Sequence, residues 1–253
     1  MFESATPVVG DPHGLNTTIV YGPVPSRRYG LTLGVNLFRG PFKSCQFHCV
    51  YCQLGARSSD PLRAAFSVDE IKSALRASLR DRRFEDCDAL VISGNGEPSL
   101  HPDFPSVVAE ILQSYHSVHR KPVVVLTNGI KLSDPSIHAV LHSVDEVALK
   151  LDPHPERSNA PEVHYDVQTI LNCARRLANV TVQACVFGGR FSNLSELDVW
   201  AKQVAEVQPQ RVDLYTVART TAVPGVEAAT VAELQSARDV LQRFYSGKVC
   251  VYS

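Results

Sequence analysis

Three cysteines fall within eight residues, CQFHCVYC from Cys45 to Cys52, whereas the other four, Cys87, Cys173, Cys185 and Cys250, stand singly along the chain. Thiolates this close serve a metal, a redox pair or a nucleophile. The C-x3-C-x2-C spacing lets one loop offer a sulfur to three corners of an iron–sulfur cubane and leaves the fourth iron open to a substrate or cofactor. A structural zinc ion instead takes four ligands, usually as two separated pairs. His48 could complete such a set, so a Cys3His zinc site is the alternative reading. The odd total of seven argues against a disulfide framework. The four single cysteines lie in helix-like or strand-like segments and read as small buried hydrophobes.

A second group of residues with chemical character is spread more widely. Lys150 and Asp152 close an apolar run, VALKLD, and at i, i+2 on a strand both face one side of it. Placed at a strand's carboxyl end, they are candidate catalytic residues. Arg27 and Arg28 can bind a carboxylate or phosphate, or form a surface arginine pair. His101, His154 and His164 read as loop histidines, and Arg80, Arg82 and Arg83 as a solvated helix face.

The elements that must position these groups alternate regularly. LTLGVNLF (31–38), DALVISG (88–94), KPVVVLTNG (121–129), DEVALKLD (145–152), VTVQACVFGG (180–189), RVDLYTVAR (211–219) and GKVCVYS (247–253) read as strands, with amphipathic segments between them. Ser67 with Glu70 and Thr230 with Glu233 form capping boxes, and Asn193 with Glu196 is expected to cap a further helix. Strands apolar on both faces imply a parallel sheet covered by helices. With 253 residues the chain is short for a closed eightfold barrel, so a partial (β/α)6 TIM-like barrel in a single domain is expected, with a doubly wound sheet as alternative. Residues 1–20 read as a flexible segment and 21–253 as the core domain. Ligands in either fold gather where strands end, which is where the cysteines, Gly94-Asn-Gly-Glu-Pro98, Thr127-Asn-Gly129 and Asp152 fall.

Composition excludes some functions. A net charge of −1 gives no overall cationic field for holding a polyanion, so tRNA as a partner is not supported by charge. The first residues, MFESATPVVGDPHG, have no apolar leader core, and no run of about 18 apolar residues occurs. A cytoplasmic protein without membrane partners is expected.

The cysteine motif with Tyr51 before its last member, Gly94-Asn-Gly-Glu97-Pro98 and Thr127-Asn-Gly129, each at a strand exit, resemble the radical S-adenosylmethionine (SAM) superfamily. YGPVPSRRYGLTLGVNL, SGNGEPSLHPDF, VALKLDP and LYTVAR resemble a narrower branch, small iron–sulfur oxidoreductase-like proteins related to the tRNA wyosine-base synthases. The likeness covers roughly residues 20–220, but no cysteine precedes Cys45 in this sequence, so the extra N-terminal cluster of true wyosine synthases is not expected. The resemblance implies that Cys45, Cys49 and Cys52 hold a [4Fe–4S] cluster and that SAM chelates its fourth iron. Reductive cleavage of SAM would give a 5′-deoxyadenosyl radical that takes hydrogen from a small metabolite or modified nucleoside. It also implies that Tyr51 lies against the adenine, that Gly94, Gly96, Glu97 and Asn128 bind SAM, that Tyr215 and Arg219 line the substrate side, and that flavodoxin or ferredoxin supplies the electron. An activating enzyme for a radical on a partner protein and a non-catalytic zinc or iron–sulfur module are the rival functions.

Overall fold

Apolar runs separated by amphipathic segments fold as the alternation requires. The computed structural model describes residues 17–40, 43–54, 65–81, 84–153, 166–190 and 192–253. The chain passes through β1 (Val20–Ser26), β2 (Gly30–Asn36), α1 (Val68–Ser78), β3 (Ala89–Ser93), a 3-10 turn (Pro98–Leu100), α2 (Phe104–His116), β4 (Val123–Thr127) and α3 (Pro135–Leu141). It continues through β5 (Glu146–Lys150), α4 (Val167–Ala174), β6 (Val180–Cys185), β7 (Phe187–Gly189), α5 (Leu197–Val207), β8 (Arg211–Tyr215), β9 (Val226–Ala228), α6 (Val231–Leu241) and β10 (Lys248–Tyr252).

Eight strands form one sheet in the order β1-β2-β3-β4-β5-β6-β8-β10. From β2 through β8 every pairing is parallel, which gives the expected (β/α)6 partial barrel; β10 adds a parallel strand at one edge and β1 an antiparallel one at the other. β7 and β9 pair separately.

Side-chain alternation gives the sheet two unlike faces. Leu33, Val35, Leu90, Ile92, Val147, Leu149, Val212 and Leu214 belong to the main apolar cluster with Ile71, Ile111, Trp200 and Leu234 from the helices. Each such side chain contributes about 1.5–3 kcal/mol on burial. The other face carries a small apolar patch, Ala89, Val91, Val124 and Ala148, flanked by polar residues. On β5, Glu146, Ala148 and Lys150 alternate with the fully buried Val147 and Leu149. A one-residue slip would drive two charges into the aliphatic layer, so register is fixed.

The turn between β1 and β2 packs against the inner face. Tyr29 donates its hydroxyl hydrogen to Glu146 Oε1 (2.6 Å) and accepts from Gln183 Nε2 (2.8 Å). Arg211 pairs with Glu146 (2.9 Å) and Asp213 (2.7 Å). Arg27 reaches from the same turn to the opposite edge, donating to the carbonyls of Thr216 (2.7 Å) and Tyr252 (3.5 Å). That contact requires the sheet to curl.

Most of the segment expected to be flexible, residues 1–16, lies outside the described residues, and β1 begins at Val20 and pairs with β2. One expectation changes. Asn193 does not cap α5, whose N-cap, Glu196, makes no side-chain capping bond. Instead, Asn193 is fully buried, donates to Cys185 O (2.8 Å) and accepts from Phe187 N (3.3 Å). The break between β6 and β7 leaves a buried carbonyl and amide that need partners, and the side chain supplies both. The capping boxes at Ser67 and Thr230 form as expected. His154, His164, Arg82 and Arg83 lie outside the described residues. No helix among the described residues is long and apolar enough to cross a membrane.

Removing Asn193 strands two buried backbone groups, so Asn193→Ala is expected to lose about 2–4 kcal/mol in urea unfolding. Thr230→Ala, which removes an exposed cap, should lose about 1 kcal/mol. An Asn193→Ala loss no greater than that of Thr230→Ala would refute the bracing role.

Candidate active site

The cysteine loop is tied to the exit of β3 by backbone hydrogen bonds. Ser44 N donates to Asn95 O (2.7 Å) and Glu97 N to Ser44 O (2.8 Å), making an isolated parallel bridge of Ser44 with Gly96. Gly96 has φ 156°, and a Cβ there would lie 1.8 Å from Ser44 O, so glycine is required for this approach. Gly94, at φ 117°, is similarly confined by Asn36, 2.7 Å from where its Cβ would be. Asn36 Oδ1 in turn accepts from Asn95 N (3.0 Å) and Phe38 N (3.2 Å).

Glu97 is buried and held by four donors of its own protein, three on Oε1 and one on Oε2. Its Oε1 accepts from Ser99 N (3.1 Å), Ser99 Oγ (2.6 Å) and Thr127 Oγ1 (2.7 Å), while Oε2 accepts from Asn128 N (2.7 Å). Burial raises its pKa and these donors lower it. The carboxylate therefore clamps the ends of β3 and β4 together. Asn128 then turns its Nδ2 toward Cys45 Sγ (3.8 Å).

Cys45, Cys49 and Cys52 form no disulfide and are partly buried on this loop. Burial pushes the Cys45 thiol pKa up to about 11 and that of Cys49 up to about 12, and the Lys43 ammonium pulls both down. Lys43 itself is 2% exposed, and its Nζ has no hydrogen-bond partner among the described residues. Sequence reasoning missed this residue. Its signal was a lysine two positions before the first cysteine, at the start of the cysteine loop.

A third group joins the cysteine loop to β5, β6 and β8. Asp152, 3% exposed, accepts from Lys150 Nζ (2.8 Å), Cys185 N (2.7 Å) and the Tyr51 hydroxyl. Lys150 also donates to Tyr215 Oη (2.6 Å) and lies over the rings of Tyr51 (4.8 Å) and Tyr215 (4.6 Å). Burial alone would lower the Lys150 pKa, but Asp152 and Tyr215 raise it above its ordinary value, so the side chain is an ammonium. Tyr51 packs on Phe187 with ring centroids 5.7 Å apart, and burial raises its pKa. Arg28 lies over Tyr215, whereas Arg27 is taken up by the carbonyls described above. Arg219 is exposed on the segment after β8. His101 is a buried loop histidine, with Nε2 2.6 Å from Phe66 O.

The family description "Radical SAM superfamily" matches residues 41–188, more than half of the chain, including all three cysteines, Glu97, Asn128, Lys150 and Asp152. The chain belongs to the radical SAM superfamily. It is 31% identical over 235 residues to a Brachyspira hyodysenteriae protein named GTPase Obg, covering 88% of this chain and 33% of that protein. It is 28% identical over 214 residues to a UPF0026 protein of Helicobacter pylori, covering 81% of this chain and 68% of that protein. The chain thus spans a third of the first relative and about two thirds of the second. A radical SAM methyltransferase from Sphaerobacter thermophilus has the same fold, with TM-score 0.65 and 19% identity over 88% of this chain and 66% of that one.

Members of the radical SAM superfamily use a [4Fe–4S] cluster and SAM. The residues present fit that pair. A buried ammonium with no hydrogen-bond partner among the described residues, Lys43, needs an anionic neighbour, and a thiolate-bound cluster is one. The glycine approaches at Gly94 and Gly96 leave backbone, not side chain, at the β3 exit.

If the Ser44–Gly96 bridge seats the loop, Gly96→Ala should retain clearly less iron after anaerobic reconstitution. Gly188→Ala is the control, because its Cβ would meet nothing nearer than 3.6 Å. Equal iron content in the two proteins would dismiss the seating role.

Proposed function

We propose that Cys45, Cys49 and Cys52 each ligate one iron, that SAM is held at the exits of β3 and β4, and that the substrate lies beside Lys150 and Asp152. One observation carries this reading. Tyr51, between two of the cluster cysteines in sequence, donates to Asp152, which pairs with Lys150 at the end of β5. Cofactor loop and inner face are therefore neighbours. When bound, the cluster and SAM together supply a reductively generated 5′-deoxyadenosyl radical for hydrogen abstraction.

The chain's own residues bind, orient and exclude water. The backbone at Gly94 and Gly96 lets a ligand approach closely, and Glu97 holds that edge rigid while offering negative charge to the SAM ammonium. Asn128 and Tyr51 flank the cysteines. Lys150 keeps its proton at Nζ, in a bond to Asp152, and presents positive charge to a substrate. Val50, Cys185 and Phe187, with Val223 and Val226 packed on them, form an apolar cover beside the loop. Ala222 N fastens the segment after β8 to Cys52 O (3.0 Å). Such a cover keeps water from a reactive intermediate.

The likeness to the iron–sulfur oxidoreductase-like branch supports a small metabolite or modified nucleoside as substrate. It supports flavodoxin or ferredoxin as electron donor. Net charge of −1 favours the smaller substrate.

Anaerobic reconstitution followed by dithionite and SAM tests the reading. A brown protein that releases 5′-deoxyadenosine is expected, with activity and visible absorption lost in Cys45→Ala, Cys49→Ala and Cys52→Ala but kept in Cys87→Ala and Cys250→Ala. A colourless protein that retains zinc and leaves SAM intact would overturn it.

Glu97 has a bracing role as well as its proposed charge, and two substitutions separate them. Glu97→Gln should keep iron yet bind SAM about 10- to 100-fold more weakly by calorimetry. Glu97→Ala should also lose stability, because Ser99, Thr127 and Asn128 lose their acceptor. Unchanged SAM affinity in Glu97→Gln would reduce Glu97 to a brace.

A further inference from the structure

The two arginines of the β1–β2 turn have different fates. Arg27 donates to main-chain carbonyls. The side chain of Arg28 makes no hydrogen bond or ion pair among the described residues, and its Nε is buried without an acceptor. Its Cζ lies 4.4 Å from the Tyr215 ring centroid, while Lys150 Nζ lies 4.6 Å from the same centroid. Two cations thus share one aromatic ring. Asp152 pairs with Lys150, and its remaining acceptor positions are taken by the Tyr51 hydroxyl and Cys185 N. The other inner-face carboxylates, Glu146 and Asp213, are bound by Arg211. Arg28 is left with positive charge and a planar fork of donors that no group among the described residues uses.

A guanidinium fork matches the paired oxygens of a carboxylate or phosphate, and stacking one face on an aromatic ring holds its edge free for them. A buried donor with no partner calls for an acceptor from outside the chain. We propose that Arg28, stacked on Tyr215, is the receptor for an oxyanion group of the substrate, so the substrate is a carboxylate- or phosphate-bearing molecule. This rests on the reading that the substrate lies beside Lys150 and Asp152. Arg28 is a binding residue here, and the fixed distance between Tyr215 and Lys150 places the anionic end of the substrate next to the β5 exit.

Inorganic phosphate and acetate serve as probes on the anaerobically reconstituted protein with SAM bound, read by calorimetry and by melting temperature. Saturable binding of at least one probe is expected, weakened about 10- to 100-fold in Arg28→Gln. Arg28→Lys, a point charge without the fork, should fall between. Phosphate alone identifies a phosphoryl group, acetate alone a carboxylate, and both a shared oxyanion receptor. The proposal is overturned if neither probe binds, or if Arg28→Gln binds them like wild type. It is also overturned if Arg28→Gln loses affinity for SAM to the same degree, since the acceptor is then the SAM carboxylate. Should Arg28→Gln not fold, unchanged affinity for both probes in Arg28→Lys overturns it. Arg28-dependent probe binding in a protein that leaves SAM intact would fail the proposed function alone. SAM cleavage with no Arg28-dependent binding would fail this inference alone.

Discussion

A single buried carboxylate, Asp152, decides how the cofactor loop meets the sheet. Removing a carboxylate from water costs several kcal/mol unless its oxygens are filled. Here three donors fill them: the Lys150 ammonium, the Tyr51 hydroxyl and the Cys185 amide. Each comes from a different part of the chain, so satisfying one charge fixes the relative positions of the cysteine loop, β5 and β6. Glu97 does the same for the ends of β3 and β4. Two buried acids therefore organise a site whose cysteines lie on a loop with little regular structure of its own.

The sheet makes such acids tolerable by separating its faces. Aliphatic side chains pointing outward bury against the helices and supply stability, which leaves the inner face free to carry Glu146, Lys150, Gln183, Arg211 and Asp213. Every one of these polar groups is paired across the interior. Partly satisfied networks would be destabilising, whereas complete ones hold side chains rigidly. Rigid placement at the carboxyl ends of the strands is what a short-lived reactive species requires, since misorientation lets it react elsewhere.

Much of this was legible in the sequence where the determining contacts are local. The cysteine spacing, Gly94-Asn-Gly-Glu97 and the capping boxes at Ser67 and Thr230 each state their role within a few residues. The alternating apolar runs gave the partial barrel in the same way. Lys150 and Asp152 were readable because a two-residue spacing on a strand already shares a face. What escaped depends on distant partners. Tyr51 meets Asp152 across 101 residues, and Arg27 meets Tyr252 across 225. Asn193 has the local pattern of a cap, and the unpaired backbone eight residues earlier claims it. Glu97 was read as a ligand, and only its four donors reveal that it is also a clamp. That Lys43 Nζ and Arg28 Nε find no hydrogen-bond acceptor among the described residues is a property of three-dimensional surroundings that no spacing encodes.

The bond from Arg27 across the edges of the sheet has a mechanical consequence. A closed barrel keeps its circumference through a continuous ladder, and enlarging it means breaking many bonds together. Here the seam between the β1 turn and β10 is spanned by a side chain, with one short bond to Thr216 O and one long bond to Tyr252 O. A charge-assisted hydrogen bond of this kind contributes about 1.5–3 kcal/mol. Closure at this seam therefore rests on side-chain bonds to main-chain carbonyls, and no strand ladder joins the β1 turn to β10.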